Sequence, residues 1–402
     1  MTQSQPMIVG AGPVGLAAAV FIAKQGVIPR VVDAAPGRSE QSRALAVNPR
    51  TLAILEPTGV TTDMLRIGKP IRGVQISFGK KVAAKMSLDA LPPPYPFMLA
   101  LSQSVTARLL EEDFNRRGGR VEWNCELIQC RNIAGGVEAD LKSASDGAVT
   151  TVQCPWLLAA DGARSAVRKS LGIEFPGSSF EKPWYLADVP LFTPLAQDHA
   201  HVFFLRGGGF LFAIRVVDDK DAHRAGDPIW RLISTAPDMP DHFEFGRASG
   251  PAVWTSGFHI SHRINRQLQQ GAIYFAGDAA HLHSPIGARG MNLGIEDAFV
   301  FSELLKNGGL AQYESQRMNV DARVVKRVEL VSRLARAESV ASRMLRATLF
   351  PLMTRLPMAR RRFMRLASGL DHPLPNFAPG VSAAPNPGAV PIPLHHPGPG
   401  HT

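Results

Sequence analysis

The sequence predicts an α/β fold: a parallel βαβ unit, a β-rich domain inserted into it, and helices at the C-terminal end. Three observations predict it. A short apolar run meets glycines and then a helical stretch near the start, aromatic strand-like segments fill residues 181 to 260, and helical periodicity runs from about residue 313 to 368.

The opening unit reads in order. Met7 to Val9 is a short buried strand. Pro13 to Gln25 is a helix stopped by Gly26, and Pro29 to Val32 is a second strand ending at Asp33. Gly10, Gly12 and Gly15 lie between the first strand and the helix. Gly10 permits the tight turn, Gly12 lets a pyrophosphate approach backbone, and Gly15 lets helix and strand pack closely. The helix start then offers free N–H groups and a positive dipole end to phosphate. Asp33 follows Gly15 by 18 residues, the place of a ribose-binding acid, and its charge would repel a 2′-phosphate. This loop alone does not separate FAD from NAD.

Further along, Gly73 to Phe78 is β-like, Pro92 to Pro96 is a turn, and Val105 to Asn115 is a helix. Val121 to Ile133 and Gly136 to Leu141 read as antiparallel strands, and Thr150 to Ala160 as one strand leading into Asp161. In the insert, Phe203, Phe204, Phe210, Phe212, Trp230 and Trp254 are strand-spaced, and each reads more simply as sheet core than as a ligand contact. Ile273 to Ala276 is a strand and Asn292 starts a helix. Val324, Val328 and Val331 share one helical face, and Pro351 and Pro357 divide the helical region. The expected organisation is a discontinuous cofactor domain (1–75, 100–180 and 261–310), a β-rich substrate domain (76–99 and 181–260), a helical region (311–370) and an unpacked Pro-rich tail (371–402).

Composition narrows the function. The chain has 402 residues, 45% hydrophobic, enough for a large core. No run reaches the ~18–20 apolar residues of a spanning helix, and no basic segment precedes the first apolar run. Cys125, Cys130 and Cys154 have no metal-ligand spacing, so the reading contains no metal and expects reduced thiols in the cytoplasm. The net charge of +10 is local: residues 317 to 365 hold 13 basic and 3 acidic residues, and the remainder balances at 31 against 31. That argues against a nucleic-acid-binding surface. It leaves a weak contact with an anionic membrane surface open, through Leu345, Leu349, Leu352, Leu356, Arg355 and Arg360 to Arg362. The simpler reading of that stretch is a packed C-terminal helix.

Two later motifs carry the chemistry. Asp161-Gly162-Ala-Arg164-Ser165-Ala-Val-Arg168 ends a strand and starts a helix, and Asp161 alone would also serve as a helix cap. Gly277-Asp278-Ala-Ala-His281 is followed by Pro285-Ile-Gly287-Ala-Arg-Gly290-Met291-Asn292-Leu-Gly294: a strand-end acid, a Gly-rich loop and a new helix. In this order and spacing the three motifs resemble the p-hydroxybenzoate hydroxylase family of FAD-dependent aromatic monooxygenases, over roughly residues 7 to 370. Ser42-Arg43-Ala44 with Asn48 to Thr51, and Leu101-Ser-Gln103, look like that family's linking signatures. The sequence departs from the family in Asp33 where many members have Glu, in Ser284 for a proline, and in the Pro-rich tail where larger relatives carry a further domain.

The resemblance implies a glutathione reductase-type, Rossmann-like FAD domain. FAD would be the bound cofactor and NADPH or NADH a transient reductant. O2 and a small aromatic, phenolic molecule would be the substrates, hydroxylated through a flavin C4a-hydroperoxide. Gly10, Gly12, Gly15, Asp33, Arg43, Gln103, Asp161, Arg164, Arg168, Gly277, Asp278, Pro285, Gly287, Gly290, Met291 and Asn292 would contact cofactor. Pro285 would floor the reaction site, His283 would activate the phenol as a base, and Arg206 would hold a substrate carboxylate or phenolate. The alternatives are another flavin-dependent oxidoreductase: an epoxidase, an isoprenoid reductase, or a halogenase, whose usual Trp-x-Trp-x-Ile-Pro segment does not occur. Oligomeric state has no signal in the sequence.

Overall fold

The computed structural model describes residues 5–40, 44–205, 209–221, 226–236, 243–336, 356–375 and 377. Its centre is a six-stranded sheet in the order Gln269–Gln270, Ile273–Phe275, Leu157–Ala159, Met7–Val9, Arg30–Val32 and Val121–Glu122. All pairings are parallel except the one at the Gln269–Gln270 edge. The central strands are apolar and buried throughout, as a sheet covered on both faces requires. Helix Pro13–Lys24 packs between Gln103–Arg116 and Gly290–Lys306. Ala17, Ala18 and Ala19 are fully buried in it, which lets the helices approach closely. Phe21 meets Phe299 edge to face at 5.6 Å.

A three-stranded antiparallel sheet, Cys125–Ile133, Gly136–Ser143 and Val149–Cys154, precedes the central strand Leu157–Ala159. The single strand expected over Thr150 to Ala160 is therefore two. Pro155, which has no N–H to donate, stands at the break.

The insert is an eight-stranded sheet. Its order is Arg247–Ala248, Trp184–Phe192, Ile229–Ser234, Phe210–Arg215, His199–Phe204, Gly73–Phe78 and Lys81–Ser87, with Trp254–Phe258 also on Trp184–Phe192. The first contributing segment starts at Gly73, ahead of the expected residue 76. Met98–Ala100 belongs instead to a small sheet with Ala46–Val47 and Lys69–Ile71. The aromatics are sheet core, divided by strand alternation. Phe204 and Phe210 join the apolar cluster of Trp184 and Leu186, while Phe203 joins Trp230 and stacks on Phe245 at 3.8 Å. Asp188 and Arg231 face each other across two strands as a buried two-bond ion pair, both bonds 2.7 Å.

Tyr313–Arg336 is one 24-residue helix. Val324 and Val328 bury against Leu293, and Val331 is half-buried. Pro357 opens helix Pro357–Ala367, since the first helical position has no use for its missing N–H. Leu345, Leu349, Pro351, Leu352 and Arg355 lie outside the described residues. Of the proposed membrane face, Leu356, Arg360, Arg361 and Arg362 are exposed, whereas in the same helix Met364 is buried and Phe363 packs inward beside it. Among the described residues no helix is long and apolar enough to cross a membrane. The expectation of an unpacked tail from residue 371 needs correction at its start. His372 is buried, Leu374 and Phe377 pack on the main core, and Asp371 pairs with two arginines.

Candidate functional site

The parallel register aligns Val9, Ala159 and Phe275 side by side. The residues that follow each of them, Gly10, Asp161 and Gly277, therefore meet at the carboxyl edge of the sheet. Open α/β sheets bind ligands at this edge. Motifs separated by more than a hundred residues each become one site through strand order alone.

Gly10 has φ +102, and a Cβ there would lie 2.3 Å from the Ala160 carbonyl oxygen. At Gly15 a Cβ would lie 1.9 Å from the Gly10 oxygen. Beyond Gly12 there is open space, and no side chain caps the helix that starts at Pro13. The loop is thus tight behind and open in front, with uncapped helix N–H groups facing outward: a cradle that fits a pyrophosphate.

Asp33 holds the protein's own backbone. Its Oδ2 accepts from Ala11 N at 2.7 Å and its Oδ1 from Ala35 N at 2.8 Å. A carboxylate one methylene shorter than Glu falls back onto the glycine loop, so Asp33 braces that loop, and any ribose bond must share oxygens already in use.

Asp161 caps the following helix with one oxygen and leaves the other without a partner. Oδ2 caps helix Ala166–Ser170 by accepting from Ala166 N (2.7 Å) and Val167 N (3.2 Å). Oδ1 is buried with no partner, and burial raises the pKa of the group. A buried acceptor left empty costs roughly 1–3 kcal/mol, so a ligand hydroxyl fits it.

Arg168 needs correction. It is buried, donates to the Ala163 oxygen (2.8 Å) and the Ala279 oxygen (3.3 Å), and lies 4.1 Å over the Phe175 ring. Backbone carbonyls occupy the guanidinium expected to contact cofactor. Arg164 is exposed, and Asp278 is exposed at the turn that follows Gly277. Gln103 begins its helix, and its Oε1 accepts from Ala44 N at 3.2 Å. Arg43 and Arg206 lie outside the described residues.

The loop before helix Gly290–Lys306 is strained. Gly287 has φ +77, and Ala288, which carries a Cβ, has φ +50. A left-handed alanine costs about 1–2 kcal/mol. Asn292 helps hold it: Nδ2 donates to the Ala288 oxygen (2.6 Å) and the Ala46 oxygen (2.9 Å), and Oδ1 accepts from Asn48 N (2.9 Å). Asn292 is thus buried scaffolding behind the loop. Pro285 and Gly287 are exposed at its surface, Gly290 opens the helix, and Met291 is buried.

His283 is corrected from base to acceptor. Its Nδ1 lies 3.0 Å from the Ser284 carbonyl oxygen and must carry the proton, which leaves Nε2 a bare lone pair, buried and without a donor. Burial pushes its pKa down to about 3, so the ring is neutral and weakly basic in the working range.

Sequence reasoning missed the support beneath the site. Arg317 is fully buried and donates to Glu296 (2.6 Å), Asp297 (2.7 Å) and Asp321 (2.7 Å). Asp297 Oδ2 accepts from Gly277 N (3.0 Å) and bonds the His281 ring (2.8 Å), so it ties the Gly277–Asp278 turn to the helix. Burial opposes charge on His281, but Asp297 and Asp321 outweigh it and raise its pKa to about 9. His281, Asp297 and Asp321 could offer three metal-ligand atoms, but the Arg317 guanidinium already bridges both carboxylates as their cation. A signal existed: Arg317 and Asp321 extend the same helical stripe as Val324 and Val328, and charges on an apolar stripe call for partners.

A profile described as "FAD binding domain" matches residues 3–328. The chain belongs to that FAD-binding family. FAD is its cofactor, and the empty Asp161 oxygen, the open Gly12 cradle and the uncapped helix start fit that group. The chain is 31% identical over 385 residues to 6-methylpretetramide 4-monooxygenase of Streptomyces rimosus, covering 91% of this chain and 69% of that one. It is 29% identical to pentachlorophenol 4-monooxygenase of Sphingobium chlorophenolicum, covering 73% and 56%. The chain thus spans a little over half to two thirds of these curated relatives. A crystal structure of p-nitrophenol 4-monooxygenase from Pseudomonas putida DLL-E4 shares the fold, with TM-score 0.80 at 21% identity, covering 92% of this chain and 98% of that one. Family and relatives together make the enzyme class an FAD-dependent monooxygenase.

Proposed function

We propose that this flavoenzyme hydroxylates a small electron-rich aromatic molecule, a phenol in the simplest case, with O2 as co-substrate and NADH or NADPH as a transient reductant. The observation that carries the reading is the convergence of Gly10, Asp161 and Gly277 at one sheet edge, with the Pro285–Asn292 loop leading into a helix start. The names of the relatives, which include phenol 4-monooxygenases, supply the substrate class.

FAD, when bound, supplies the redox chemistry that takes electrons from the nicotinamide and passes one oxygen atom of O2 to the ring. The protein's own residues bind, orient and exclude water. Gly10 to Gly15 and the helix start take the pyrophosphate, Asp161 Oδ1 and Asp278 take cofactor hydroxyls, and Gln103 lies beside the Ala44 segment as a further contact. Pro285, Gly287 and the Gly290–Met291 amides face the reacting end. Their helix dipole favours negative charge there. Ile286 and Ala288 continue into the apolar cluster of Trp184 and Phe210, which keeps water from that side. The Nε2 lone pair of His283 accepts a hydroxyl proton in a hydrogen bond without removing it. Arg164 is the candidate for the visiting nucleotide's phosphates.

The test is oxidation of NADH and of NADPH by the FAD-loaded protein under air, across a panel of phenols, with products analysed by mass. Stimulated oxidation together with a product one oxygen atom heavier supports the proposal. If the flavin reduces but no phenol yields an oxygenated product, the aromatic reading fails.

A further inference from the structure

The segment from Leu366 to His372 lies beyond the part of the chain matched by the family profile, which ends at residue 328. It crosses the back of the strained Pro285–Gly290 loop and is fastened there. Arg289, which follows Ala288 in the loop, is buried, and among the described residues both of its partners belong to this strap: the Leu366 carbonyl at 2.8 Å and the Asp371 carboxylate at 3.0 Å. Asp371 is held in turn by Arg327 at 2.9 Å. Next to it, Arg50 donates to the Gly369 oxygen at 2.7 Å and to the His372 oxygen, and the His372 ring meets Glu296 at 2.7 Å. Gly369 sits so close to Asn48 that a Cβ would lie 2.4 Å from the Asn48 amide nitrogen. The backbone N–H of the same Asn48 donates to Oδ1 of Asn292, the residue that braces Ala288 from the other side. Helix Pro357–Ala367 packs on the same loop, with Met364 and Phe363 in one apolar cluster with Ile286 and Ala288.

We infer that Asp371 is a positioning residue for the flavin reaction: through Arg289 it holds the Gly287–Ala288 turn in its left-handed shape and so fixes the loop at the reacting end of the cofactor. This rests on the placement of that loop under Proposed function. A left-handed alanine persists only where its surroundings over-determine it. Asn292 supplies one restraint and the strap supplies the other. The Arg289–Asp371 ion pair is buried on both sides, where opposite charges are least screened.

The experiment uses the full chain reconstituted with FAD, in four variants: D371N, R327A, D371N/A288G and G287V. FAD affinity is read by flavin fluorescence, the bound cofactor by its visible spectrum, and leakage by peroxide formed per nicotinamide oxidised. D371N is expected to weaken FAD by about tenfold, to alter the bound spectrum and to raise peroxide yield. R327A, a half-exposed residue that only supports Asp371, is expected to move the same readouts in the same direction by less. A288G is expected to restore much of the D371N loss, because glycine accepts the left-handed turn without restraint; a defect of general packing would not be rescued this way. Parental affinity and spectrum in both D371N and R327A overturn the inference, as does a D371N that fails to fold beside an unaffected R327A, or a D371N defect that A288G leaves untouched. G287V separates the two readings: if it perturbs the flavin while D371N does not, the strap inference alone falls. If G287V also leaves the flavin unchanged, the loop's placement falls and takes the inference with it.

Discussion

Replacing Arg317 with methionine tests the support beneath the site. The substitution keeps much of the volume and removes the charge. Arg317 makes three charge-assisted bonds, to Glu296, Asp297 and Asp321, at 2.6 to 2.7 Å, and the side chains of all four residues are at most 3% exposed. Simple addition of charged hydrogen bonds, at about 1.5–3 kcal/mol each, overstates the loss, because carboxylates left unpaired in the interior take up protons. The relevant comparison is a buried ion pair broken on one side, which costs about 3–5 kcal/mol. Set against a typical total stability of about 5–15 kcal/mol, that is a large fraction. Urea unfolding of the apoprotein, followed by circular dichroism, measures it. The exposed pair Arg266–Glu174, with side chains 68% and 73% accessible, is the internal control, and R266A should lie within about 1 kcal/mol of the parent. A second effect is expected in the cofactor site. Asp297 holds Gly277 N as well as Arg317, so losing the arginine loosens the Gly277–Asp278 turn, and FAD affinity falls with stability. An R317M protein within about 1 kcal/mol of the parent would refute the claim that this network supports the fold.

Two further outcomes are expected. Burial pushes the Glu296 carboxyl up, but Arg317, His372 and Arg50 outweigh it and hold its pKa at about 2 against an ordinary 4.5. A depressed acid stabilises the fold above its unfolded value and loses that contribution as pH falls from about 4.5 to about 2, an effect of about 3 kcal/mol. Chemical-denaturation curves across that window should therefore be steeper in pH for the parent than for E296Q, and equal slopes would count against the assignment. G15A should abolish flavin retention during purification, since its Cβ would lie 1.9 Å from the Gly10 oxygen; a yellow G15A protein with parental FAD content would show that the loop tolerates the clash.

The parts of the site legible in the sequence are those written in local pattern. Met7–Val9, Leu157–Ala159 and Ile273–Phe275 are short apolar runs that end in glycine or acid, and a buried parallel strand has that signature whatever surrounds it. The side-chain roles that failed depend on direction and reach, which local pattern does not carry. An arginine in a phosphate-binding segment reads as a phosphate ligand, yet two carbonyls and the Phe175 ring capture Arg168. His283 reads as a base until the adjacent carbonyl fixes its tautomer. Asp33 stands at the right spacing, but its short side chain meets Ala11 N first. The ionic support joins two helices, Gly290–Lys306 and Tyr313–Arg336, and its pattern shows only as acids and an arginine on faces otherwise apolar.

Ala288 shows why such supports belong to the site. A sequence rule would put glycine at φ +50, as the chain does next door at Gly287 with φ +77. Local rules that fail in natural proteins tend to fail at functional positions, where the surroundings offset the cost. Here the surroundings can be named. Asn292 holds the Ala288 carbonyl from within the helix, and the Asp371 strap holds Arg289 from outside. A glycine would reach the same shape without strain and would depend less on these supports. The alanine, held from two sides, has one shape available. On the placement proposed for this loop, the restriction helps to exclude water, a gain even at about 1–2 kcal/mol of strain.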